Sequence, residues 1–137
     1  MNDVIKERFA RGRVVREKVL GAAHVARTAS NRTDFNADFQ DFLMEYSWGV
    51  IWSRAGLDVK TRSMMTIAML VAMGRMDELK LHLRATANTG VTRDEVKELM
   101  MHAALYCGVP VAYGAFQIAA QIFAEMDRDK DAQRTGG

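Results

Sequence analysis

A single proline, Pro110, stands in a chain of 137 residues. Proline removes a backbone donor and clashes with the preceding turn, so it breaks helices from within. A chain with only one is free to be helical almost throughout. Ala, Met, Leu, Glu, Lys and Arg dominate the composition, and these residues favour helices. Glycine becomes the main punctuation. No stretch alternates apolar and polar residues as a half-buried strand would, and no internal repeat or linker interrupts the chain. The expectation is an all-α bundle of about six helices. It forms one domain over residues 1–137, with a core at about 11–127 and a disordered polar tail at 128–137.

The spacing predicts a first helix over Val4–Leu20, with Gly12 a candidate break and Gly21 its end. Thr33 or Asp34 is positioned to cap a second, carrying Phe35, Phe39, Phe42 and Leu43 at helical spacing and running to or past Gly49 toward Trp52. Gly56 marks a turn and Asp58 a cap. The helix that follows is apolar nearly all round from Met64, which predicts a central position. Gly74 closes it. A fourth helix covers about Asp77–Ala87, ended by Asn88-Thr89-Gly90. Thr92-Arg93-Asp94-Glu95 fits a capping box. Val96, Leu99, Met100 and Ala103 form the apolar stripe of the helix it opens. Gly108 stops that helix, and Pro110 is expected at the first position of the last one, where Ile118, Ile122 and Phe123 face inward.

Composition narrows the function. At 49% hydrophobic and 26% charged, the chain is globular rather than disordered. Nineteen basic and 17 acidic residues leave a net charge of +2. With no block of basic residues, nothing here favours a nucleic-acid partner. Cys107 is the one cysteine, so there is no internal disulfide and no CxxC site. The charged N-terminus shows no signal peptide. The apolar run Met64–Met73 is about half the length that spans a bilayer. A cytoplasmic protein without a membrane partner is expected. Ten methionines, six phenylalanines, three tyrosines and two tryptophans suit an irregular core, and suit subunit interfaces as well.

The chemical candidates gather between Trp48 and His82. Glu78 and His82 lie four residues apart and so share a helix face, where an imidazole at the margin of the apolar surface is tuned by partial desolvation. A solvated surface pair is the plainer reading. Arg62 sits in the first turn of an apolar helix, a place where a guanidinium takes a carboxylate, from a substrate or from Glu45 or Glu78. Arg75, three residues before Glu78, is a second anchor and is expected to be exposed. Trp48 and Trp52 share a face and serve a core, an interface or a ligand wall. His24 lies in a loop-like stretch. His102 flanks an apolar stripe, and Cys107 is read as buried, inert packing. The three histidines lack metal-ligand spacing, so no metal is expected.

Several of these residues stand within words of a known family. T-R-S-M-M-T-I-A, G-R-M-D-E-L-K-L-H-L-R-A, N-T-G-V-T-R-D-E-V-K-E-L-M-M-H and Y-C-G-V-P resemble the carboxymuconolactone decarboxylase family, part of the alkylhydroperoxidase D-like superfamily. Gly12–Gly21, D-F-N-A-D-F-Q-D-F and W-G-V-I-W-S-R-A-G-L extend the likeness over about Arg11 to Glu125. The redox members carry C-x-x-C-x-x-x-H. Here the histidine position is His82, while Arg75 and Glu78 replace the two cysteines, so thiol-based peroxide chemistry is not expected. Arg62 matches the family's arginine at the opening of the apolar helix.

The resemblance implies an all-α fold assembled as a hexamer. It also implies cofactor-free decarboxylation of 4-carboxymuconolactone, a dicarboxylate lactone, to 3-oxoadipate enol-lactone in protocatechuate catabolism, the β-ketoadipate pathway. His82 and Glu78 would be catalytic, and Arg62, Arg75, Trp48 and Trp52 would bind substrate. Which of Glu78 and His82 gives the proton is open, as are the roles of His102 and Cys107. The competing expectations are a non-redox enzyme acting on a related lactone or small acid, and a non-catalytic helical binding module.

Overall fold

A computed structural model of the chain describes residues 1–136. Among them there is no strand. Seven α-helices are present: α1 (Asp3–Leu20), α2 (Ala22–Thr28), α3 (Ala37–Phe42), α4 (Val59–Met73), α5 (Met76–Thr89), α6 (Arg93–Cys107) and α7 (Val109–Thr135). The all-α expectation holds. The added helix is α2, which occupies what reads as a loop after Gly21. The chain forms two compact units, Met1–Arg62 and Ser63–Gly137, with the boundary inside α4.

In the first unit α1 packs along a π-helical segment, Leu43–Ile51, that continues α3. Its wider winding is seen where the Trp52 amide donates to the Ser47 carbonyl at 2.8 Å, five residues back. Gly12 is not a break. α1 runs straight through it, because Gly12 and Gly49 are both buried and let two backbones touch. A β-carbon at Gly12 would collide with the Met44 carbonyl, and one at Gly49 with the Arg8 carbonyl. Around this contact Arg11 Nε donates to the Gly49 carbonyl at 2.9 Å, and Arg8 reaches Glu45 at 3.0 Å. Otherwise the unit buries only Val19 fully. The cap expected at Thr33 or Asp34 falls later. The Thr33 amide donates to the Asn36 side chain at 2.8 Å in a turn, and α3 starts at Ala37. Phe35, Phe39 and Phe42 are exposed.

The second unit has the larger core. Ile67 and Val71 of α4, Leu79 and Leu83 of α5, Val96 and Met100 of α6, and Ala115, Ala119 and Ile122 of α7 pack together. Full burial of such a side chain is worth about 1.5–3 kcal/mol for the larger ones. Two buried hydroxyls satisfy each other, Thr89 donating to Ser63 at 2.9 Å. Gly74, at φ 68°, turns the chain between α4 and α5, a left-handed conformation that strains other residues. α4 is less enclosed than its composition suggests. Ser63, Ile67 and Val71 face in, while Met65, Met69 and Met73 form an exposed row.

The capping box forms as read: Glu95 N donates to Thr92 Oγ1 at 3.1 Å, and Thr92 N to Glu95 Oε1 at 2.9 Å. Asp58 accepts from Thr61 N at 2.7 Å. Pro110 is the second residue of α7, not the first, since Val109 opens the helix. The tail expected to be disordered continues α7 to Thr135; Gly137 lies outside the described residues. Arg128, Lys130, Ala132, Gln133 and Arg134 are good helix formers, and Asp129 is drawn to Arg84 at 3.4 Å. Just upstream Arg84 also holds Glu125, and Arg93 grips Asp127 at 2.7 and 3.0 Å.

Replacing Gly12 by Ala is expected to destabilise the chain by about 1–3 kcal/mol, the usual cost of overpacking a tight contact. Val14→Ala, at a site 70% exposed, is expected to cost far less. Denaturant unfolding of both variants checks this.

Candidate functional site

The burial of Leu79 and Leu83 sets the rotation of α5. One residue round from each, Glu78 lies near the helix start at the rim, and His82 is half-buried with its Nδ1 shielded from solvent. Burial is what holds the His82 imidazole below the ordinary value of 6.5. The ring is therefore neutral at pH 7 in the unliganded chain.

Glu78 takes a different partner from the one its spacing offers. Arg75, at the N-cap of α5, donates Nη2 to Glu78 Oε1 at 2.7 Å, and both side chains are largely exposed. The hydrogen bond from Arg75 leads in holding the Glu78 carboxyl below the usual carboxylate range, and the residue's own backbone amide adds to it. Glu78 is thus a carboxylate at neutral pH, suited to hold a cation. Arg75 is exposed, as expected.

Arg62 lies in the first turn of α4. Its Nη2 donates to the Arg54 carbonyl at 3.2 Å, and its Nε is shielded from solvent. The protein carboxylates weighed for it are engaged elsewhere, Glu45 by Arg8 and Glu78 by Arg75. Trp48 and Trp52 are brought together in the first unit, ring centres 5.3 Å apart and planes 27° from parallel. Trp48 also lines a pocket with Arg13, Arg16 and Arg32. Sequence reading did not single these arginines out. The available signal was the three-residue spacing of Arg13 and Arg16, which puts them on one face of α1.

The remaining candidates fall elsewhere. His24 lies on α2, not in a loop; burial, then Arg27 and Arg16, hold its imidazole below the ordinary value. His102 is exposed on α6, with the Tyr106 ring 5.0 Å away, beside an apolar groove between α4 and α6. Cys107, expected to be buried, ends α6 exposed, because α6 reaches the surface there and Tyr106 is 75% exposed. Among the described residues no group of three or more His, Cys, Asp or Glu side chains is gathered to hold a metal. No described helix is long and apolar enough to cross a membrane.

The site is thus a shielded histidine one helical turn after an ionised glutamate, on an all-α chain. The chain belongs to the carboxymuconolactone decarboxylase family, whose pattern matches residues 37–121. It is similar to a 4-carboxymuconolactone decarboxylase of Acinetobacter baylyi, 49% identical over 126 residues, which are 92% of this chain and 92% of that protein. A nitrosuccinic acid decarboxylase of Metarhizium robertsii is 37% identical over 126 residues, 91% of this chain and 88% of that one.

A proton-NMR titration of the ring signals is expected to place the His82 midpoint below 6.5. A histidine with a depressed folded value binds more protons when unfolded, so its contribution to stability is intact above pH 6.5 and is lost as the pH falls from there. His82→Gln should flatten that part of the acid limb in denaturation midpoints measured against pH.

Proposed function

We propose that this chain is a carboxy-lyase that converts 4-carboxymuconolactone to 3-oxoadipate enol-lactone, a step of protocatechuate catabolism in the cytoplasm. The observation that carries the reading is the 49% identity over 92% of both chains to a protein of that activity. The shielded, neutral His82 and the absence of the thiol pair agree with it.

The chemistry needs few parts. The departing carboxylate sits on a ring carbon conjugated through the alkene to the lactone carbonyl. As the C–C bond breaks and carbon dioxide leaves, its electron pair shifts into the ring. The alkene moves, and the carbonyl oxygen becomes the oxyanion of a furanolate-like dienolate. A proton added to the ring carbon beside the carbonyl restores the lactone as the enol-lactone. The substrate is its own electron sink, so the protein must anchor the remaining carboxylate, stabilise the oxyanion and deliver the proton.

Arg62 is assigned the anchor, through a bidentate fork. His82 is assigned the oxyanion and the proton. The dianionic substrate beside the ring favours imidazolium and raises its pKa from the depressed resting value, so the ring becomes charged where charge develops. Glu78 is ionised by Arg75 before substrate arrives, which suits it to stabilise the imidazolium form of His82 by its charge rather than to protonate carbon. Arg75 is the second anchor. Trp52, with Trp48 stacked on it, keeps water from the leaving carboxylate.

The same reading includes self-association, as a hexamer by family likeness. Its support is the apolar surface left open, the methionine row of α4 and the phenylalanines of α3.

The nitrosuccinic acid decarboxylase relative favours one second reading, a different small dicarboxylic acid as substrate. An ultraviolet and proton-NMR assay with freshly generated 4-carboxymuconolactone separates the two. Carbon dioxide release with enol-lactone formation is expected. A folded sample without turnover would move the substrate to the second class. His82→Gln is expected to lower kcat roughly a hundredfold, the worth of an oxyanion donor at about 3 kcal/mol. Arg62→Met is expected to raise KM by about tenfold or more with a smaller change in kcat. A folded His82→Gln variant at wild-type rates would remove His82 from the mechanism.

A further inference from the structure

The first unit holds a pocket whose arginines the decarboxylation does not use. About 390 Å³ of space opens between α1, the end of α2, α3 and the π-helical segment. Its polar lining is dominated by guanidinium groups. Arg13 and Arg16 come from α1, three residues apart, and Arg32 from the turn before α3. One carboxylate faces them, Asp41, and it is matched to Arg32 in a two-point pair at 2.8 and 3.2 Å. Asp41 also feels the charge of Arg13, but it is one carboxylate beside three arginines, so the pocket keeps an excess of positive charge. Among the described residues neither Arg13 nor Arg16 makes an ion pair, and Arg16 only donates to the Thr28 hydroxyl at 3.2 Å. Thr28 passes its own proton to the Val25 carbonyl at 3.1 Å, so it holds the Arg16 side chain in place without neutralising it.

Apolar and aromatic side chains share the lining. Phe9 and Trp48 line the space. Trp48 is braced by its stack on Trp52, so it presents a fixed edge. Surplus guanidinium charge beside aromatic side chains selects for shape as well as charge. Guanidinium forks favour planar carboxylates, and ring walls favour a flat unsaturated body. Inorganic phosphate offers the charge without the apolar contact.

We propose that this pocket is a second ligand site, sharing Trp48 alone with the residues assigned to the decarboxylation, that takes a small planar dicarboxylate between Arg13 and Arg16 and the Trp48 wall. The inference rests on the first unit alone and stands whether or not the chain decarboxylates a lactone.

The test uses isophthalate as the probe and the chain's two tryptophans, Trp48 and Trp52, as the reporter. Titration of the full chain is expected to give saturable quenching with one site per chain. Arg16→Met and the exposed Arg13→Gln are each expected to weaken it roughly tenfold or more, as loss of a charge-assisted contact does. Circular dichroism checks that both variants fold, and Arg13→Gln carries the test if Arg16→Met does not fold. Arg62→Met is expected to bind isophthalate as the wild type does. Three results would overturn the proposal: no saturable quenching; quenching lost in Arg62→Met but kept in the Arg13 and Arg16 variants; or displacement by inorganic phosphate at equal concentration, which would reduce the pocket to a general anion site.

Discussion

Leu79 and Leu83 have no exposed surface, and much of the functional reading depends on that. They lie one helical turn apart on α5, so their burial against Ile67, Val71 and the alanines of α7 allows one rotation of the helix. That rotation puts the preceding residue of each pair, Glu78 and His82, at the edge of the core. Near the helix start Glu78 meets Arg75 and stays ionised. A turn further on, the surroundings close over His82 and desolvate its ring. Two titratable groups four residues apart thus acquire different resting states from one packing event. A polar residue at Leu79 or Leu83 would disturb the chemistry without touching it.

The helical character was legible because it rests on local signals. Asp58 and the Thr92–Glu95 box cap the helices they precede, and Gly74 and Gly90 end the helices they follow. These depend on a few adjacent residues and on backbone geometry. What was not legible depends on partners distant in sequence. Gly12 reads as a helix break in isolation; its role appears only when Gly49, far along the chain, lies against it. The tail reads as disordered because it is polar. Yet Arg84 of α5 and Arg93 of α6 hold acidic residues of α7 at and just before its start, and spacing alone does not predict such pairs.

The site shows the same division. Spacing on one helix correctly put Glu78 and His82 on the same side of α5. It did not reveal that Arg75 would claim Glu78, because a neighbour three residues away at a helix start competes well with one four residues away inside it. Nor did it show the arginine pocket, which draws on several elements of the first unit. The resemblance supplied what spacing could not, the reaction class, and the relatives support it. Apolar rows on α3 and α4 stay open to solvent, and the first unit fully buries few side chains.

The central claim is that the protein itself delivers the proton that completes the decarboxylation. Turnover of 4-carboxymuconolactone in deuterium oxide tests this directly. Delivery from a fixed His82 to one face of the dienolate predicts an enol-lactone with a single deuterium on the ring carbon beside the carbonyl, in one configuration, when quenched at early conversion. A product carrying deuterium equally on both faces would show that free solvent protonates a released dienolate, and would contradict the account.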